Sequence, residues 1–259
     1  MKIIVCIKQV PDTTEIKLNP ETGTMIRDGV PSIMNPDDKG GLEMALNLKD
    51  QFGAHVTVIT MGPAQADQIL REAYAMGADR AIHLTDKRFA GADTLATSNA
   101  LAGALRMLEY DLIITGRQAI DGDTAQVGPQ IAELLDLPQV TYVEDLQFEN
   151  GIFTIKKANE EGYQIVQVEA PCLVTVLASA NEPRYMSVNG IMTAYSKEVE
   201  VWGFENISVD ETKLGLKGSP TRVHKSFSKG IKEAGQKYEV DPKMAVEIIM
   251  DKLKEKFII

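Results

Sequence analysis

The chain has 259 residues, of which 44% are hydrophobic, so it is long enough to form one large domain with an extension and to bury a substantial core. Its formal net charge of -10 argues against nucleic acid as its main partner, because binding along a duplex needs clustered lysines and arginines. No apolar run approaches the roughly 20 residues of a membrane span, and the apolar start of the chain is too short for a signal peptide, which predicts a cytoplasmic location without a membrane span.

The first half of the chain alternates strand patterns with helix patterns. The predicted elements, in chain order, are a strand at 3–7, a helix that starts after 35–36, a strand at 55–60, a helix at 65–76, a strand at 80–84, a helix at 94–108, a strand at 112–115, a helix around 130–135 and a strand near 140–143. This alternation predicts an α/β fold with a doubly wound, mostly parallel sheet that is covered on both faces.

The pattern changes after Glu144. A turn at Asn150-Gly151 separates short strand patterns, and together these predict an added hairpin and further strands. The strand patterns lie at 146–148, 152–157, 163–168 and 173–177.

The C-terminal region differs from the rest of the chain in composition and in its lack of strand patterns. From about Trp202 the chain has no sheet pattern, residues 215–230 are rich in Gly, Ser, Lys and Pro, and a last helix is predicted at 242–256. We expect residues 1–200 to form the nucleotide-binding α/β domain. We expect residues 201–259 to form a helical arm that packs on another subunit, because they have little surface of their own to bury.

The most informative loop follows the fourth strand and leads into the next helix. It contains Gly116, Gly122 and residues 124–127, whose free backbone N–H groups at a helix start can donate to phosphate oxygens. Asp121 and Asp123 would repel a phosphate if they faced it, so we expect their side chains to cap the helix or to hold the loop. A capped turn without a ligand is the structural alternative.

Two further turns meet this loop if the sheet is doubly wound. They follow the first strand, at residues 6–9, and the second strand, at residues 61–64. Ligands in such folds lie outside the carboxyl ends of the strands, where strand order reverses, which predicts one shared site. The sequence Asn35-Pro36-Asp37-Asp38 either joins this site through an adenosine contact or starts a helix, with Asn35 as its cap and Pro36 as its first residue.

Several short motifs, taken in order, span nearly the whole chain. They are VCIKQVPD at 5–12, MNP at 34–36, GPAQ at 62–65, MGAD at 76–79, GRQAID at 116–121 and NEPRY at 181–185. Together they resemble the β subunit of electron transfer flavoprotein, and their common order is far more specific than any single loop. The resemblance implies an adenine-nucleotide α-hydrolase-like fold and a heterodimer with an α subunit that holds an electron-carrying FAD.

The nucleotide held by β subunits of this family differs between two groups. Respiratory members hold AMP as a structural element, whereas electron-bifurcating members hold a second FAD. The loop at 121–129 resembles that of the bifurcating group, which implies FAD in the predicted site. By the same resemblance, NADH gives a hydride to this FAD. One electron then goes to a ferredoxin or flavodoxin, and the other passes through the α-subunit FAD to an acyl-CoA dehydrogenase or a similar flavoenzyme.

The resemblance also assigns nucleotide contacts residue by residue. They fall on Cys6, Asn35, Pro36, Asp37, Asp38, Met61, Gly116, Arg117, Gln118, Asp121, Gly122, Asp123, Thr124, Ala125, Gln126 and Val127. We expect no catalytic side chain, because the flavin carries out the redox chemistry, and we expect Cys6 to be a small packed residue. Met61 is equally well explained as a core residue, and Arg117 lies near the flavin carbonyls or forms a surface ion pair.

A second inherited feature is the recognition loop of the family, which corresponds to residues 182–197. It anchors the dehydrogenase partner through an apolar side chain, and the matching position here is Val188, with Tyr185, Ile191 and Met192 nearby. An isolated surface valine is also ordinary in proteins.

The chain departs from the family pattern in one strand region. Where the family has Arg, then Glu seven residues on, then Leu-Pro, this chain has Lys157, Gln164 and Ala170-Pro171. The departure affects the usual polar contacts with the α subunit and leaves the nucleotide loop unchanged.

Two other functions remain open. One is a non-bifurcating electron transfer flavoprotein β subunit with structural AMP. The other is a stand-alone adenine-nucleotide-binding enzyme of the ATP-pyrophosphatase-like kind, although residues 8–12 do not have the SGGxDS-type phosphate loop of such enzymes. No metal site is predicted, because the histidines and cysteines lack ligand spacing. They are His55, His83, His224, Cys6 and Cys172.

Overall fold

Alternating strands and helices make up most of the chain in the computed structural model, which describes residues 1–12, 31–222, 224 and 235–259. The chain divides into two compact units, Met1–His224 and Lys225–Ile259. Part of the predicted Gly- and Ser-rich stretch, at 223 and 225–230, lies outside the described residues.

The strands are β1 (Lys2–Cys6), β2 (Gln9–Pro11), β3 (Ser32–Met34), β4 (His55–Met61), β5 (Arg80–Leu84), β6 (Leu112–Gly116), β7 (Gln139–Glu149), β8 (Ile152–Asn159), β9 (Gly162–Glu169), β10 (Cys172–Val176) and β11 (Glu200–Trp202). The α-helices of the first unit are α1 (Pro36–Phe52), α2 (Asp67–Met76), α3 (Thr94–Leu105), α4 (Val127–Leu134), α5 (Val188–Ala194) and α6 (Gly215–Gly218).

Among the residues described, nine strands form one sheet in the order β11-β5-β4-β1-β6-β10-β7-β8-β9. Neighbouring strands from β11 to β7 are parallel, and β8 and β9 form an antiparallel extension. The chain proceeds outward from β1 through β4 and β5 on one side and through β6 and β10 on the other. This is the predicted doubly wound α/β fold, and its strand order reverses between β1 and β6.

Helices cover both faces of the sheet. Alternate side chains of β1 belong to different cores, because successive residues of a strand point to opposite faces. Val5 is buried in a cluster with Leu42 of α1 and Leu70 of α2. Ile4 is buried in a second cluster with Leu101 of α3 and with residues of α4. The two cores hold the carboxyl ends of the central strands in fixed positions.

The observed elements differ from the predicted ones in a few places. The predicted strands near 140–143 and at 146–148 are one strand, β7, whose pairing with β8 and β10 shifts register at a bulge. Tyr142 in this bulge has a φ of 59°. A bulge changes which side chains face the core, so the alternation of polar and apolar residues breaks at that point. The strand β11 and the helix α5 were not predicted, because each is too short to show a periodic pattern.

The second unit carries the last helix, α7 (Pro242–Glu255), close to its predicted bounds. Asp241 caps this helix by accepting hydrogen bonds from the N–H groups of Lys243 and Met244, at 3.0 and 3.2 Å. None of its residues is buried. Apolar side chains such as Val246 and Ile249 are more than half exposed, so α7 has apolar surface available for an interaction.

Candidate functional site

A cavity of about 740 Å³ opens at the carboxyl ends of β1, β4, β5 and β6. It lies where the strand order reverses, which is where open α/β sheets bind ligands. Its volume falls in the upper part of the ~300–1,000 Å³ range of small-molecule pockets. Four connections line it: the turns after β1 and β4, the connection from β5 to α3, and the loop from β6 to α4.

The loop from β6 to α4 presents unpaired backbone N–H groups. Within the described part of the chain, the N–H groups of residues 124–127 donate to no protein acceptor. Asp123 and Ala125 have φ values of 50° and 52°, which non-glycine residues seldom adopt. Backbones that alternate between left-handed and right-handed conformations form concavities that bind anions. The positive end of the α4 dipole favours an anion at the same place.

The two aspartates of this loop hold it in place. Asp121 accepts two hydrogen bonds from Lys8 Nζ, at 2.6 and 2.9 Å, and Asp123 accepts one from Gln118 Nε2 at 2.8 Å. Neither aspartate lines the cavity, and neither caps α4. Of the two roles expected from the sequence, loop holding is the one observed. A phosphate at the free N–H groups would therefore not face these carboxylates.

The first turn of α1 supports the same loop from behind. Asn35 occupies the N-cap position but makes no side-chain bond to its own helix. Instead its amide donates to the Gln118 carbonyl at 2.8 Å and accepts from the Ile120 N–H at 3.0 Å. Asp37 accepts from the N–H groups of Gln118 and Ala178, at 3.3 and 2.9 Å. Asn35, which was predicted to cap α1, instead holds the loop from β6 to α4 by hydrogen bonds.

Asp38 joins the ends of the two strands that flank the reversal point. It accepts from the N–H groups of Lys8 and Gly116 at 2.8 and 3.0 Å. Burial raises the pKa of Asp38 to about 7, in spite of hydrogen bonds that lower it. Burial and the nearby Asp38 raise the pKa of Cys6 to about 12, so this thiol is protonated at neutral pH. Cys6 is therefore a packed residue of the cavity wall, as expected.

Glycines allow the elements around the cavity to approach closely. A Cβ at Gly116 would collide with the carboxylate of Asp38, and a Cβ at Gly128 would lie 2.6 Å from Thr115 Oγ1. Gly122 differs from both, because it lines the cavity and an added Cβ would have no neighbour within 4 Å among the described atoms. A side chain at position 122 would therefore extend into open space.

The predicted contact residues divide into two groups. Those that line the cavity are Cys6, Asp38, Met61, Gly116, Arg117, Gln118, Gly122, Thr124, Ala125, Gln126 and Val127. Those that do not are Asn35, Pro36, Asp37, Asp121 and Asp123. Met61 also packs against the core under α3, so both of its proposed roles are compatible with its position.

The sequence analysis missed the connection from β5 to α3. Most of residues 85–94 line the cavity, together with Thr97 and Leu101 of α3. Asp86 accepts from the Arg88 N–H at 2.9 Å, and Asp93 caps α3 by accepting from the Ala96 N–H at the same distance. The signal was available, because this stretch follows a buried strand and contains Asp and Gly residues before a helix.

Cationic side chains contribute to the electrostatics of the cavity. Lys8, Lys87 and Arg117 line it, and Lys8 is paired with Asp121. Lys87 forms no ion pair within the ranges that the structure describes. Arg117 Nε lies 3.4 Å from Asp37 but is buried without a hydrogen-bond acceptor. Arg117 therefore forms an ion pair with Asp37, which is one of the two roles expected for it from the sequence.

Residues 182–197, the predicted recognition loop, contain α5 and are here named the recognition segment. Tyr185 is 98% exposed, Val188 and Met192 are each 76% exposed, and Ile191 is 49% exposed. Apolar side chains that are exposed together in one segment are typical of interaction sites.

Clusters of metal-ligating side chains and helices that could cross a membrane are both absent from the described part of the chain. No group of three or more potential His, Cys, Asp or Glu ligands occurs among those residues. His83 is buried beside a backbone carbonyl, with its Nε2 3.1 Å from the oxygen of Gly62. No helix in these ranges is both long and apolar enough to cross a membrane.

Comparison with known proteins gives matches along nearly the whole chain. A family model described as the electron transfer flavoprotein domain matches residues 22–206. The chain is 56% identical to the electron transfer flavoprotein subunit beta of Clostridium acetobutylicum over 255 residues, 98% of each chain. It is 51% identical to the caffeyl-CoA reductase-Etf complex subunit CarD of Acetobacterium woodii, and 45% identical to the acryloyl-CoA reductase electron transfer subunit gamma of Anaerotignum propionicum. Both of these matches cover 100% of each chain.

Proposed function

The chain belongs to the electron transfer flavoprotein family as a β subunit, and from that premise we propose that its cavity binds FAD and that the subunit takes part in electron bifurcation. Membership of the family implies an α-subunit partner and assembly with dehydrogenase-type flavoenzymes. It also separates this chain from the stand-alone nucleotide-binding enzymes that the sequence left open.

The observation that carries the proposal is the row of free N–H groups at residues 124–127. A pyrophosphate needs several donors and a positive local potential, and the loop offers both at the start of α4. The aspartates of the loop are held by Lys8 and Gln118 outside the cavity, so they do not oppose an anionic ligand.

The cavity has room for FAD, which is larger than AMP. FAD contains an adenylate together with a flavin, a ribityl chain and a second phosphate, so it has more than twice as many non-hydrogen atoms as AMP. A cavity of about 740 Å³ would be only partly filled by an adenylate. The connection from β5 to α3 extends the cavity beyond the three loops predicted from the sequence. This extension would accommodate the second half of a dinucleotide.

The residues of this chain bind and orient the nucleotide. When bound, FAD accepts a hydride and passes electrons on singly, and we propose NADH as its donor and a ferredoxin or flavodoxin as one acceptor. The N–H groups at 124–127 would hold the pyrophosphate. Arg117, paired with Asp37, would lie at the wall beside the ligand, and Lys8 would hold Asp121 away from it. Cys6, whose pKa is raised to about 12 by burial and by Asp38, would stay protonated in the cavity wall.

The remaining surfaces are proposed to contact the other proteins of the complex. The recognition segment would bind an acyl-CoA dehydrogenase-type flavoenzyme through Tyr185, Val188, Ile191 and Met192. Two relatives are named as parts of CoA-ester reductase complexes, which supports a partner of this class. Of the arm expected at 201–259, residues 201–224 belong to the first unit; the second unit, Lys225–Ile259, would pack on the α subunit, with α7 supplying apolar side chains to that contact.

The proposal is tested by identifying the nucleotides that the co-expressed αβ dimer releases on denaturation. Two FAD and no AMP per dimer would support an FAD in the β cavity. One FAD and one AMP would overturn it and make the protein a conventional electron carrier. Bifurcation itself predicts that NADH oxidation requires the low-potential acceptor and the acyl-CoA-linked partner together. Steady NADH oxidation with either acceptor alone would contradict that part of the proposal.

A further inference from the structure

The N-terminal end of the recognition segment is attached to α1 through Arg184 and, directly before the segment, through Asn181, whose amide donates to the Gly40 carbonyl at 3.2 Å. The guanidinium of Arg184 donates to both carboxylate oxygens of Glu43, with donor–acceptor distances of 3.0–3.1 Å. The Arg184 backbone N–H also donates to Glu43, at 2.9 Å. The same guanidinium reaches Asn47 at 3.2 Å and Asp50 at 2.9 Å. The carboxylates differ in environment, because the side chain of Glu43 is 7% exposed and that of Asp50 is 61% exposed.

The C-terminal end of the segment is attached to α2. Arg71 Nη1 donates to the carbonyl oxygens of Ala194 and Lys197, at 3.0 and 2.6 Å. Between the two ends, a Cβ at Gly190 would collide with the Ala75 carbonyl, so the backbone of α5 lies directly on the last turn of α2. The segment therefore rests on α1 at one end and on α2 at the other.

The apolar side chains between these attachments do not hold the segment in place. Tyr185, Val188 and Met192 are three-quarters exposed or more. A helix of seven residues such as α5 is too short to be stable alone in water. The conformation that presents these side chains therefore comes from the attachments at the ends, from the packing of the α5 backbone on α2, and from Ala194, the one buried residue of α5.

We infer that the Glu43–Arg184 ion pair positions the recognition segment, and thereby sets how tightly a flavoenzyme partner binds, without contacting that partner itself. The inference rests on the proposed docking role of the segment. Without the charge of the buried Glu43, the N-terminal end of the recognition segment can leave the conformation that binds the flavoenzyme. Apparent affinity falls in proportion to the fraction of molecules that remain competent to bind.

The test uses the αβ dimer and a purified short-chain acyl-CoA dehydrogenase, with electron transfer between them measured at varied dehydrogenase concentration. Glu43→Gln keeps the shape of the side chain and removes its charge. We expect the apparent KM for the dehydrogenase to rise about tenfold, equivalent to about 1.4 kcal/mol, with kcat at saturation and nucleotide content unchanged. Amide hydrogen exchange at residues 185–193 should become faster in this variant.

Asp50→Asn is the matched control, because it neutralises the other carboxylate on the same guanidinium. That carboxylate is exposed, and exposed pairs contribute little, so we expect its KM to stay within about twofold of the wild type. Arg184→Lys provides a second variant if Glu43→Gln does not fold. Lysine keeps the charge but cannot form the two-pronged contact, so its KM should also rise.

Val188→Asp distinguishes the docking role of the segment from the positioning role of the Glu43–Arg184 pair, because it changes the proposed contact surface directly. If Val188→Asp raises KM while Glu43→Gln and Arg184→Lys do not, the positioning role is wrong and the docking role stands. If Val188→Asp has no effect, the docking role is wrong and the inference is overturned with it. Equal effects of Glu43→Gln and Asp50→Asn would also overturn the inference, since burial would then make no difference.

Discussion

Replacement of Gly122 by valine is expected to empty the cavity without unfolding the subunit. An added Cβ at this position would have no neighbour within 4 Å among the described atoms, and the backbone is not in the left-handed region that favours glycine. The fold can therefore accept the side chain. Because Gly122 lines the cavity close in sequence to the free N–H groups at 124–127, the valine methyl groups would occupy space that a pyrophosphate needs.

The size of the effect follows from the contacts that the valine would prevent. A hydrogen bond to a charged group contributes about 1.5–3 kcal/mol. If the phosphate can no longer reach two of the N–H groups, the loss is about 3–6 kcal/mol. That loss corresponds to an affinity lower by a factor of about 10² to 10⁴, enough for the nucleotide to be lost during purification.

The assay is nucleotide analysis of the purified αβ dimer, in which we expect one nucleotide to be retained by the α subunit and the other to be missing. Gly235→Val is the matched control, because an added Cβ there also has no neighbour within 4 Å among the described atoms and Gly235 does not line the cavity. The control should keep both nucleotides. A Gly122→Val dimer that also keeps both would place the nucleotide somewhere other than this cavity.

Three further predictions concern the wall and floor of the cavity. The pKa of Asp38 is about 7 in the folded protein and near 3.8 in the unfolded chain. Because the folded protein keeps this proton longer, the free energy of unfolding should fall by up to about 4 kcal/mol as the pH rises from 3.8 to 7, and level off above that range. Thermal unfolding of the dimer between pH 5 and 7.5 should show this slope in the wild type and a smaller one in Asp38→Asn, and equal slopes would refute the assignment. Cys6→Ala should retain electron transfer and nucleotide content, because the thiol is protonated, and a loss of turnover with full nucleotide content would show a chemical role for Cys6. Gly128→Val should push α4 away from Thr115, at a cost of about 1–3 kcal/mol, and lower the melting temperature by several degrees, whereas an unchanged melting temperature would contradict the close packing.

Local patterns were sufficient to predict the central sheet and the loop from β6 to α4. The predicted strand at 80–84 coincides with β5, and β4 and β6 are each one residue longer than predicted. Buried parallel strands give continuous apolar runs with clear ends, which makes them easy to recognise. The role of Asp121 and Asp123 could also be argued in advance, because an unpaired carboxylate beside a phosphate would be repelled.

Long-range contacts could not be read from the sequence. Asn35 looked like a helix cap, but its hydrogen-bond partner Ile120 lies 85 residues further along the chain. Asp38 accepts a hydrogen bond from the N–H of Gly116, which lies 78 residues further along the chain. No local pattern reports which side chain of a helix start reaches a distant loop. The connection from β5 to α3 was missed for a related reason, since only the closed sheet brings it beside the other three connections.

The helix α1 connects the cavity and the recognition segment in a way that only the folded chain reveals. Its first turn supports the loop through Asn35 and Asp37, and Asp37 also accepts from Ala178, just ahead of the recognition segment. Six residues further on, Glu43 holds Arg184, at a distance of roughly 9 Å along the helix axis. Sites built on one rigid helix keep a more constant separation than sites on two loops. With the nucleotide and the partner bound where we propose, the spacing between them would be determined by α1.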